Sequence, residues 1–77
     1  MSQEIKLIKV LAIEDDQFIT MIYEQYFQNN EHIIYELQVK STLYEGLKEL
    51  FANKYDIVLL DLNLPDSKSE ETISQIP

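Results

Sequence analysis

The stretch "YDIVLLDLNLPD", Tyr55 to Asp66, decides the fold. Ile57, Val58, Leu59 and Leu60 follow one another without alternation, and Asp61 comes directly after them. An unbroken apolar run of this kind marks a strand covered on both faces, as in a parallel sheet flanked by helices. A carboxylate at its end is costly unless that end of the sheet opens onto something polar. Pro65 is read as the stop of the strand.

Working outward, "KLIKVLAIEDD" has the same design: an apolar, β-branched run from Leu7 to Ile13, interrupted by Lys9, ends in Glu14, Asp15 and Asp16. The period then changes. Phe18, Ile19, Ile22, Tyr26 and Phe27 fall on one helical face, with Asp16 as N-cap and Asn29 and Asn30 as stops. "IIYELQVK", Ile33 to Lys40, alternates Tyr35, Leu37 and Val39 with Glu36, Gln38 and Lys40, the pattern of an edge strand with one wet face. "TLYEGLKELFANK" opens with Thr42 and Glu45 at capping-box spacing and sets Leu43, Leu47, Leu50 and Phe51 on one stripe. Asn53 and Lys54 suit its C-terminal end, and Gly46 inside it costs roughly 1 kcal/mol relative to Ala without an evident reason. The tail from Ser69 to Ile76 reads as a short, weak helix closed by Pro77. The five tyrosines fall on these elements and read as core or boundary packing, and His32 reads as a solvated turn residue.

Strand, helix, strand, helix, strand with short connections predicts an α/β fold, βαβαβ, with a parallel sheet in the order 2-1-3. Strands one and three are then neighbours roughly 4.8 Å apart, and both end in acids at the carboxyl edge, where doubly wound sheets bind ligands. Glu14, Asp15 and Asp61 therefore converge. Two carboxylates about 5 Å apart repel by roughly 3 kcal/mol at an effective dielectric near 20, so the cluster calls for a cation. Hard oxygen donors without His or Cys favour Mg²⁺ or Mn²⁺, and the spacing of an EF-hand calcium loop is absent. Asp16 is assigned to capping.

Composition bounds the rest. The chain has 77 residues, 45% of them hydrophobic, and reads as one folded domain, residues 1–77, of marginal stability that a partner chain would raise. It has no cysteine, which excludes disulfides, thiolate metal sites and a Cys nucleophile. Neither a signal sequence nor a membrane-length apolar run is evident, so a cytoplasmic protein without membrane contact is expected. A formal charge of -8 opposes direct nucleic-acid binding and favours a cation or a basic protein surface.

"VLAIEDD" followed by "DIVLLDLNLPD" closely resembles the receiver domain of two-component response regulators, and the resemblance spans essentially the whole chain. It implies the N-terminal portion of a flavodoxin-like fold and a pocket that holds Mg²⁺. Residue by residue, Asp61 corresponds to the phosphoacceptor, Asp15 to the direct metal ligand and Glu14 to the acid that holds the metal through water. Asn63 corresponds to the position whose backbone carbonyl completes the metal ligands, and Pro65 with Asp66 to the turn that follows. The implied partner is a sensor histidine kinase or phosphotransfer protein. The family's phosphoryl-binding Ser/Thr and its Lys lie on strands beyond the third, so impaired transfer is expected, from a phosphoacceptor and not an independent enzyme.

Strand three, usually central, would be an edge here. Pairing of Ile57, Val58, Leu59 and Leu60 with a second copy would cover it, giving a homodimer. The alternative function is accordingly a non-catalytic half-domain that self-assembles or serves as an interaction module. A hydrolase using the same acids ranks below both, because no general base or cationic clamp is evident.

Overall fold

A computed structural model of the chain describes residues 4–64 and 66. Its elements are β1 (Lys6–Ile13), α1 (Gln17–Tyr26), β2 (Ile33–Lys40), α2 (Leu43–Ala52) and β3 (Ile57–Leu60). The three strands form one sheet in the order β2-β1-β3, and both pairings are parallel. This is the expected α/β arrangement, consistent with the N-terminal part of a flavodoxin-like fold. The expectations for Pro65 and for a helix over Ser69 to Ile76 lie outside the described residues.

Register fixes the faces. Leu11 pairs with Gln38 and Val58, and Ile13 with Lys40 and Leu60, so these residues share one face of the sheet. On that face Leu11, Ile13, Leu43 and Leu64 form the buried core, with Leu47, Leu50, Tyr55 and Leu60 packed around it. The other face carries Val10 and Ala12 of β1 with Tyr35, Leu37 and Val39 of β2 and Ile57 and Leu59 of β3. Here Phe27, just past α1, meets the Tyr35 ring edge-on at 5.3 Å. Among the described residues β1 is the only strand with neighbours on both sides, and Val10, Leu11 and Ala12 are fully buried.

Side chains set the element ends. Asp16 caps α1 by accepting the Phe18 N–H at 2.8 Å. Thr42 caps α2 by accepting the Glu45 N–H at 3.2 Å, while its hydroxyl donates to Glu45 Oε1 at 3.4 Å. Asn30 Oδ1 accepts from the N–H groups of His32 and Ile33, and Asn29 Oδ1 from that of Tyr35, so the two asparagines build the entry to β2. Asp56 fixes the start of β3: its Oδ2 accepts the Lys9 N–H, and its own N–H donates to the Lys9 carbonyl, both at 2.8 Å.

Two expectations about packing are corrected. The α1 stripe is not buried: Phe18 is 66% exposed, Tyr26 78%, and no residue of the helix is fully buried. Phe51 of α2 is also largely exposed, as are Tyr26 and Tyr44 among the five tyrosines. The reason is geometric. Each stripe is wider than one helix can bury on three strands, and among the described residues each sheet face carries a single helix. Ile22, Tyr23, Tyr26, Phe27 and Leu59 consequently line an open apolar hollow of about 250 Å³ beside β3.

Candidate functional site

The parallel ladders run past the strands and place the acids. Glu14 N–H donates to the Lys40 carbonyl at 2.9 Å, continuing the β1–β2 pairing, and Asp61 N–H donates to the Ile13 carbonyl at 3.0 Å, continuing β1–β3. The first residues after the two strands are therefore held by backbone bonds and are not free loop positions. As a result, one carboxylate oxygen from each of Glu14, Asp15 and Asp61 lies within 4.8 Å of the others.

The three differ in surroundings. Glu14 is buried, at 8% exposure, whereas Asp61 is half-buried and Asp15 exposed. Burial pushes the Glu14 carboxyl above its usual range, and the nearby Asp61 and Asp15 charges push the same way, against the Asp16 N–H that donates to its Oε1 at 3.0 Å. Asp61 Oδ1 accepts the N–H of Asn63 at 2.9 Å, closing a tight turn after β3. Among the described residues no lysine forms an ion pair with any of the three acids. Lys40 lines, with Glu14, Asp15, Gln17 and Thr20, a hollow of about 300 Å³ at the β2 side of the cluster.

The donor set fits a small hard cation. It offers carboxylate oxygens only, one of them on a buried acid whose ionised form is disfavoured without a positive neighbour. Asp16 stands apart, its Oδ1 spent on the α1 cap. His32 lies at the opposite end of the sheet, exposed and 3.5 Å from Glu31.

Sequence reading missed the part played by Asp66. Its two carboxylate oxygens accept the N–H groups of Leu43 and Tyr44 at 2.8 and 2.9 Å, across the loop to the start of α2. Those bonds hold the Asp66 carboxyl below its usual range. No local signal could have found this, because the partners lie 22 and 23 positions earlier in the chain.

A parallel α/β sheet in the order 2-1-3 with an acidic trio at its carboxyl edge is the first half of a flavodoxin-like architecture. No protein-family model matches the chain, and no solved structure matches it. Over 70 residues it is 33% identical to "Response regulator ArlR" of Staphylococcus saprophyticus subsp. saprophyticus, an alignment covering 91% of this chain and 30% of that protein. The chain is a homologue of a response regulator, and its small α/β fold is consistent with the N-terminal portion of a receiver domain. It spans about a third of the length of the relative it matches. Among the described residues no helix is long and apolar enough to cross a membrane.

Proposed function

We propose that residues 1–77 form the N-terminal portion of a receiver module in a two-component phosphorelay, with Asp61 as phosphoacceptor. The observation that carries this reading is the meeting of Glu14, Asp15 and Asp61 within 4.8 Å at the carboxyl edge of the sheet. Asp15, Asp61 and the Asn63 backbone carbonyl would hold Mg²⁺ or Mn²⁺ directly, and Glu14 through water. Bound there, the cation would neutralise charge on the phosphoryl oxygens.

The chain's own part is nucleophilic. An Asp61 carboxylate oxygen attacks the phosphorus of a phosphohistidine on a sensor kinase or phosphotransfer protein. The new bond is O–P, the P–N bond breaks, and its electron pair returns to the donor imidazole. The Ile13 carbonyl and Asn63 N–H hold Asp61 in position for this. Without a lysine beside Asp61 among the described residues, transfer to this chain alone would be slow. A cytoplasmic location and the absence of nucleic-acid contact belong to the same reading, the latter supported by the formal charge of -8.

The test is intact-mass measurement after incubation with Mg²⁺ and a small acyl phosphate. One phosphoryl group should add to the wild-type chain and none to Asp61→Ala. An unmodified wild-type chain at every donor concentration overturns the phosphoacceptor assignment.

A second reading is favoured by β3, which among the described residues pairs only with β1, carries Val58 at 39% exposure on one face and lines the apolar hollow with Leu59 on the other. In it the chain is a non-catalytic assembly unit, and Ile57–Leu60 pairs with its copy in a homodimer.

A further inference from the structure

The loop that follows Asp61 is fastened at both ends. At the pocket end, Asn63 N–H donates to Asp61 Oδ1 at 2.9 Å. Between the ends, Leu64 is 3% exposed and belongs to the same core cluster as Leu43, the first residue of α2. At the far end, Asp66 accepts the N–H groups of Leu43 and Tyr44. These amides belong to the first turn of α2, where helix donors have no intrahelical acceptor. The Thr42 side chain, the N-cap, accepts the Glu45 N–H, and among the described residues the Leu43 and Tyr44 amides are met by Asp66. The start of α2 thus depends on a carboxylate delivered by the loop from the acidic pocket.

We propose that Asp66 is a positioning residue that couples the Asp61 carboxylate to the N-terminus of α2. The inference rests on the reading of Asp61 as the group that changes state, but the link itself consists of bonds already present. Any ligand that takes Asp61 Oδ1 competes with the Asn63 N–H for that oxygen. Releasing Asn63 frees the loop near Leu64, and with it the anchor that holds Asp66 on α2. Coupling between sites is reciprocal, so loss of the Asp66 bonds also changes the affinity of Asp61 for its ligand.

The experiment is a double-mutant cycle on the full chain without metal, read by NMR amide exchange at Leu43 and Tyr44. Asp66→Ala should speed exchange at both amides about fivefold, the size expected for a lost cap. Asp61→Ala should speed the same two amides, and the double variant should fall short of the product of the two effects. A simple product, or no change at Leu43 and Tyr44 in Asp61→Ala, overturns the coupling. If an alanine variant unfolds, the cycle is run with Asp61→Leu and Asp66→Leu, which keep a branched side chain of similar shape without an acceptor oxygen, under the same criteria. Mg²⁺ titration of the wild type separates the two ideas. A shift at Asn63 without one at Leu43 and Tyr44 counts against the coupling. No shift at Asn63 counts against the metal reading alone, and the metal-free cycle still decides the coupling.

Discussion

Gly46 of α2 lies against Ile13 of β1 with no room for a methyl group: an added Cβ would come within 2.6 Å of Ile13 Cγ1 and 2.9 Å of Cγ2. The contact lets the helix press onto the central strand just before the acidic cluster, which explains a glycine that helix propensity disfavours. Gly46→Ala would gain about 1 kcal/mol in propensity and lose about 1–3 kcal/mol to overpacking, so net destabilisation is expected. Chemical denaturation checks the sign. Combined with Ile13→Ala, which removes the opposing atoms, the substitution should cost less than in the wild type. A Gly46→Ala protein more stable than wild type would contradict the close approach.

Tyr55 links the same face to alkaline stability. Its hydroxyl donates to Glu49 Oε1 at 3.0 Å, and burial first, then Glu49 and Glu36, push its phenol up to about 12 from the usual 10.0. Between those values the unfolded chain gives up the phenolic proton while the folded chain keeps it. Stability therefore falls as pH rises from about 10 and stops falling from this cause near 12. Tyr55→Phe keeps the ring and should show a shallower alkaline decline in equilibrium unfolding, although it begins lower for want of the hydrogen bond. Equal slopes in the two proteins would show that Tyr55 is not the group responsible.

The elements and the acidic site were legible because each rests on a local or topological constraint. The strand periods, the Asp16 and Thr42 caps and the β2-β1-β3 order needed only neighbours in sequence and the rules of parallel connection. Once β1 and β3 are adjacent, Asp15 and Asp61 have to meet. Packing was less legible. The stripe through Phe18 and Tyr26 signals an apolar face but not whether anything covers it, and in this structure both side chains are exposed. Gly46 and Asp66 were opaque for another reason, since each acts on a residue more than 20 positions away whose approach depends on the finished fold.

The edge of β3 that is unpaired among the described residues predicts the effect of charge there. β3 pairs only with β1 among the described residues, and Val58 is partly exposed. If strand three is the self-association surface, Val58→Lys should weaken the dimer, because a lysine on an edge strand opposes edge-to-edge pairing. Sedimentation at several concentrations reads this directly. A wild-type chain that stays monomeric at high micromolar concentration removes the homodimer reading.

Cation binding should invert the order of stability between the wild type and a variant of its own site. Without metal, Glu14, Asp15 and Asp61 repel one another within 4.8 Å, and among the described residues no lysine is paired with them. Asp61→Asn relieves part of that repulsion while keeping a similar shape and an oxygen that can accept the Asn63 N–H. In the presence of a chelator it should be more stable than wild type, by about 1 kcal/mol or more, since a surface-screened pair is worth less than the roughly 3 kcal/mol of a bare Coulomb estimate. Mg²⁺ reverses this. At one hundred times its dissociation constant, a ligand that binds only the folded state adds about 2.7 kcal/mol to the wild type, whereas the variant, short of one charged ligand, gains much less. Urea unfolding of both proteins with chelator and with Mg²⁺ should show the curves exchange order. If Mg²⁺ moves neither curve, the trio does not hold the cation and the acids must be stabilised in another way.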